Sequence, residues 1–182
     1  LVITLDGQEK NVNLDANGKV TAYTGKIVAS GAVIGNATEN ATGNYTITYV
    51  KGNLTINPKA ISITADDKTM TYGNAEPTLT ATTVGLEGTD YIATTQTRAE
   101  GNNIGDYRIT ATVNAGQDII RNYTIETLPG TLTINPRPVT VTAEDKAKVY
   151  GEADPALTAT VTGLAAGEGT NLISYTLSRV AG

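Results

Sequence analysis

Asn122-Tyr123-Thr124-Ile125-Glu126-Thr127-Leu128-Pro129-Gly130-Thr131-Leu132-Thr133-Ile134-Asn135-Pro136 is two short alternating runs around a Pro-Gly pair. A period of two places successive side chains on opposite faces, so each run reads as a half-buried strand. The pair between them predicts a hairpin over residues 123–134. Asn135-Pro136 ends it, because proline has no N–H to add to a ladder. The stretch has an earlier copy: residues 43–58 match residues 121–136 at 10 of 16 positions, at an offset of 78. In that copy residues 45–50, Lys51-Gly52 and residues 53–56 predict the same hairpin.

Outward from this block the repetition continues. Residues 60–86 match residues 138–164 at 14 of 27 positions at the same offset, including Asp67/Asp145, Lys68/Lys146, Tyr72-Gly73/Tyr150-Gly151 and Pro77/Pro155. One complete unit therefore runs over residues 59–136. Residues 1–58 read as a divergent or partial β repeat, and residues 137–182 as the N-terminal part of a further repeat. A three-residue insertion after Leu164 brings Arg179-Val180-Ala181-Gly182 onto Arg98-Ala99-Glu100-Gly101. The expectation is a segment of a longer array whose counterparts of residues 102–136 come next. A half repeat of this kind exposes strand edges, so head-to-tail complementation by a second chain is a further expectation.

Other segments carry strand and turn chemistry. Residues 1–5, Asp6-Gly7 and residues 8–14 predict an N-terminal hairpin, and Asp15-Ala16-Asn17-Gly18 the next turn. Residues 60–64 and 138–142 predict strands directly after each Asn-Pro, so the joints between units are short and stiff. Residues 104–113 alternate and begin Gly105-Asp106-Tyr107, the entry at which a tyrosine hydroxyl bonds back to corner backbone. No stretch keeps a helical period for three turns. About six or seven strands per unit without a helix predict an all-β chain of tandem small immunoglobulin-like β-sandwich modules, with β-grasp-like modules as the alternative.

Composition narrows the functions. The chain has no Cys, His, Phe or Trp, and its 9 Tyr are its only aromatics. Disulfides, thiolate chemistry and His-based triads are excluded. Serine is scarce, and Ser62 sits in an expected strand opposite a repeat counterpart of Thr140, which suits a solvent-facing position better than a nucleophile. No Gly-rich phosphate loop is present, so no enzyme activity and no catalytic residue are expected. A net charge of −5 disfavours nucleic acid, and no apolar run is long enough to insert into a membrane.

Two residue sets remain as candidate sites. Tyr72-Gly73 and Tyr150-Gly151 recur at one phase of the unit, as ligand-stacking tyrosines or as turn anchors held in the core. The acidic pairs Asp66-Asp67 and Glu144-Asp145 are calcium candidates by position, although calcium takes roughly six to eight oxygen ligands. A solvated turn with a surface ion pair to Lys68 or Lys146 is the simpler reading, and no cofactor is expected.

Tyr72-Gly73-Asn74-Ala75-Glu76-Pro77 and Tyr150-Gly151-Glu152-Ala153-Asp154-Pro155, each followed or preceded by Asn-Tyr-Thr-Ile and Gly-x-Leu-Thr-Ile, resemble the repeats of the MBG type, YGX subtype. The resemblance covers residues 43–182. It implies a tandem repeat of a large bacterial surface or extracellular adhesin, with neighbouring repeats as partners and host or environmental glycans, mucin among them, as ligands. Stalk or filament and adhesive module are the two roles it leaves.

Overall fold

A computed structural model describes residues 2–5, 9–36 and 38–180 of the chain. Among these residues it is all-β: twelve strands and three single 3-10 turns, at Thr42–Asn44, Asp118–Asn122 and Thr170–Leu172. Contacts divide the chain into two compact units. The first holds Leu1–Ile63, Thr83–Thr94 and Val113–Glu126, the second Thr64–Thr82, Thr95–Thr112 and Thr127–Gly182.

The central repeat builds two sheets. β4 (Lys59–Ala65) lies between β6 (Ala81–Val84) and β9 (Tyr123–Leu128). The other sheet has the order β5 (Lys68–Thr71), β10 (Gly130–Asn135), β8 (Gly105–Val113), β7 (Thr94–Arg98). β10 pairs antiparallel with β8, Leu132 opposite Tyr107, and parallel with β5, Leu132 opposite Lys68. Alternation decides what is buried: Ile61, Ile63 and Ala65 on β4, Ile109 and Ala111 on β8, Leu132 and Ile134 on β10. Ser62 and threonines fill the places between them, as on a sheet with one apolar face. This is a β-sandwich made without Phe or Trp.

The remaining strands form smaller sheets. β1 (Val2–Leu5), β2 (Tyr23–Ser30) and β3 (Gly52–Leu54) make one, in that order. β11 (Thr140–Ala143) and β12 (Ala159–Thr162) make a two-stranded antiparallel sheet, Val141 opposite Val161.

Several local expectations hold. The turn after Asp15 closes with Gly18 N–H donating to the Asp15 carbonyl at 3.0 Å, and Leu14 bridges Val20. Tyr107 is the tyrosine corner, its hydroxyl donating to the Asn103 carbonyl at 2.8 Å.

Three expected hairpins are not formed among the described residues. Residues 123–134 give two strands of different sheets, because Pro129-Gly130 carries the chain from one to the other. Proline cannot take a positive φ and Gly130 does not take one here, so the primed turn of a two-residue hairpin is out of reach. Residues 45–50 form no strand; β3 pairs with β2, and Tyr45 and Val50 lie exposed. β1 likewise pairs with β2, in a register from Val2 opposite Ser30 to Leu5 opposite Ile27. Asp6-Gly7, the expected turn of that N-terminal hairpin, lies outside the described residues.

Candidate functional site

β5 ends in Thr71, and the Tyr72 N–H donates to the Asn135 carbonyl at 2.9 Å, continuing the parallel pairing with β10 by one residue. The chain then turns at Gly73, whose φ of 76° lies in the left-handed region that glycine enters without steric cost. Asn74 N–H closes the turn on the Thr71 carbonyl at 3.0 Å. The Tyr-Gly pair is therefore a strand-end turn.

What meets this turn comes from the next repeat. The Tyr72 hydroxyl donates to Glu168 Oε1 at 2.8 Å, and Glu168 Oε2 accepts the Ala165 N–H at 3.1 Å, which holds the loop after β12 in shape. Ala165 is buried, and a Cβ added to Gly73 would collide with its methyl group. Arg137, in the linker between the repeats, ties the parts together. Its Nε donates to the Gly163 carbonyl at 2.7 Å, and its Nη1 to the Tyr72 carbonyl at 3.2 Å and Asn74 Oδ1 at 2.9 Å. The Glu168 carboxylate beside it raises the pKa of the Tyr72 hydroxyl above the ordinary tyrosine value, first through the hydrogen bond and then through its charge. All of these residues lie in the second compact unit.

The repeat counterparts of Arg137 and Glu168 meet directly in the first unit. Lys59, the counterpart of Arg137, reaches Glu87 Oε2 at 2.6 Å, and Glu87 is the counterpart of Glu168 once the three-residue insertion is allowed for. Glu87 N–H also donates to the Tyr123 hydroxyl oxygen at 3.1 Å, while that hydroxyl donates to the Asp90 carboxylate. Asn122 accepts the Val12 N–H at 2.8 Å and donates to Asn11 Oδ1 at 2.8 Å. In both junctions a basic linker residue is fixed at a Gly-Leu pair or next to it, Arg137 on the Gly163 carbonyl and Lys59 on Glu87.

Neither tyrosine of the Tyr-Gly pairs is a core residue. Tyr72 is half-buried at the junction, and Tyr150 is fully exposed at 101%. The expectation that they anchor their turns in the core is corrected: Tyr72 follows the last residue of β5, and Tyr150 follows residues 144–149, which form no strand. Gly73 and Gly151 do take the turn expected of them, with φ of 76° and 87°.

The acidic pairs work as fasteners between neighbouring strands. Thr80 Oγ1 donates to Asp66 Oδ2 at 2.5 Å and Thr82 Oγ1 to Asp66 Oδ1 at 2.8 Å, pinning the end of β4 to the start of β6. Glu144 repeats this one unit later, accepting from Thr158 at 2.5 Å, Thr160 at 3.0 Å and Lys146 at 3.2 Å. These hydrogen bonds, Thr80 first for Asp66 and Thr158 first for Glu144, lower both pKa values below the ordinary carboxylate range. Asp67 Oδ1 accepts the Thr131 N–H at 2.7 Å, and Asp145 is exposed. Among the described residues no group of three or more acidic side chains converges as a metal site.

Sequence reasoning passed over one recurrent pair. Arg98 meets Glu76 in a fork, Nε to Oε1 at 2.6 Å and Nη2 to Oε2 at 3.0 Å, and its Nη1 donates to the carbonyls of Ala99 and Gly101 at 2.8 and 2.7 Å. The guanidinium also sits 5.5 Å from the Tyr107 ring centroid. One unit later Arg179 meets Asp154 at 3.1 Å. The signal was present: the acid before each proline changes from Glu76 to Asp154 while its charge stays, and both arginines align.

With this geometry in place, comparison with known proteins adds one positive result. The sequence model of the family described as MBG domain (YGX type) matches residues 61–133 and 139–182, more than half of the chain. A search of the curated proteins and one of the solved structures found no match.

Proposed function

Because this chain belongs to the MBG domain family of the YGX type, we propose that it is a non-enzymatic repeat segment of a large bacterial surface or extracellular adhesin, working as stalk or filament. The observation that carries this reading is the junction at Arg137, where one linker side chain donates to groups of the loop before it and the loop after it. A stalk needs its repeats fixed to one another more than it needs a cleft, and here the motif that defines the unit is spent on fixing them. No helix among the described residues is long and apolar enough to cross a membrane.

The test is Arg137→Ala in the full chain, with backbone amide relaxation read on either side of the linker. Stalk function predicts that fast motion of residues 163–168 and 72–74 increases while the strands keep their protection. Unchanged relaxation in both loops would defeat the reading.

Adhesion by the repeats themselves is the second reading, favoured by one feature. A groove of about 400 Å³ beside Tyr72 is lined by Asn74, Glu76, Arg98 and Asn102, polar groups of the kind that orient a sugar. Saturation-transfer NMR with mucin-type oligosaccharides tests it. Transfer that survives Tyr72→Ala and Asn102→Ala removes this groove from consideration.

A further inference from the structure

The loop Tyr150-Gly151-Glu152 is built like Tyr72-Gly73-Asn74. Gly151 has a φ of 87° against 76° for Gly73, and Glu152 N–H donates to the Val149 carbonyl at 3.1 Å where Asn74 N–H donates to Thr71 at 3.0 Å. Their surroundings differ. Tyr150 is fully exposed, and a Cβ on Gly151 would meet nothing within 4 Å, whereas one on Gly73 would meet Ala165.

Resting on the stalk reading, we propose that the Tyr150 loop is a docking surface for a further repeat of this family. Its occupant has a defined chemistry: a loop of the long form Gly-Leu-Ala-Ala-Gly-Glu, as at residues 163–168, and a basic linker residue, as at Arg137. The Tyr72 junction supplies the template for each contact. The incoming glutamate accepts from the Tyr150 hydroxyl as Glu168 does from Tyr72, and the incoming alanine covers Gly151 as Ala165 covers Gly73. The incoming base meets Glu152, a carboxylate where Arg137 has neutral Asn74, so this contact becomes an ion pair with both partners charged. The short loop at Glu87 lacks the three inserted residues, and Glu87 reaches Lys59.

Nitration of Tyr150 by tetranitromethane, read by peptide mass spectrometry, tests this in three chains: the 182-residue protein, the protein extended by a copy of residues 102–136, and the protein extended by a copy of residues 102–182. The expected result is that Tyr150 nitrates at least threefold more slowly in the longest chain only, and recovers when the copy of Glu168 is changed to Ala. Protection already complete in the intermediate chain would assign the surface to its own repeat and overturn the proposal, as would equal rates in all three.

Folding of the added repeat is not the sole support. In the 182-residue protein Glu168→Ala should raise Tyr72 nitration at least threefold, and no change there would remove the template and with it the proposal. Failure at Tyr150 together with the Arg137→Ala effect described above would leave the stalk reading standing and refute the docking surface alone.

Discussion

Asp66 and Glu144 occupy equivalent places with side chains one methylene apart, and both still receive two threonine hydroxyls. Their lowered folded pKa values mean that the stabilisation is present above the unfolded-state values near about 4 and is lost as pH falls through the lower folded values. Asp66→Asn with Glu144→Gln is therefore expected to flatten the acid limb of a plot of urea midpoint against pH. An unaltered limb below about pH 4 would show that other carboxylates set it. Since these oxygens already have protein partners, adding calcium is expected to leave the melting temperature unchanged; a rise on calcium addition, reversed by chelation, would contradict that. Glycine makes the companion test. Gly151→Ala carries only the left-handed backbone cost of roughly 1–2 kcal/mol, whereas Gly73→Ala adds a collision with Ala165 and should exceed it in paired denaturation curves. The turn at both glycines was legible from Tyr-Gly alone; the neighbour at one of them was not.

Among the elements, β9 and β10 hold the clearest lesson, because their period of two was read correctly and their partnership was not. Pro129-Gly130 looked like a hairpin turn and is a crossing between sheets. Gly130 is required there for space: a Cβ would collide with the Ala65 carbonyl, although its φ is one that other residues adopt. Gly130→Ala is thus expected to destabilise by roughly 1–3 kcal/mol, the range for overpacking, and a melting temperature equal to wild type would refute the close approach. β8 shows the opposite case. Gly105-Asp106-Tyr107 announced the corner, and Tyr107→Phe should cost roughly 0.5–1.5 kcal/mol for the lost bond to Asn103 while leaving the strand's amide protection intact.

At the scale of the whole molecule, the copy at residues 137–182 contains no counterparts of the core residues Ile109, Leu132 and Ile134. Ile63 on β4 is 0% exposed, and Val141, its counterpart on β11, is 38% exposed. Ile63→Ala should cost roughly 2–5 kcal/mol by chemical denaturation, and Ile109→Ala and Leu132→Ala the same, since all three are fully buried. Val141→Ala should fall within about 0.5 kcal/mol of wild type. Equal losses at Ile63 and Val141 would mean that both copies of the strand are covered alike in solution. The amino-acid sequence by itself determined the all-β class, the repeating unit, the strands β4, β8, β9 and β10 of the complete repeat and the turns at Gly73 and Gly151; β5, β6 and β7 were not read from it. Those follow from period, φ and the missing N–H of proline, which act within a few residues. Only the tertiary structure decided which strand joins which sheet, that Arg98 closes on Glu76, and that Tyr72 meets Glu168 while Tyr150 faces solvent. Those depend on groups far apart in the chain, which no local pattern specifies.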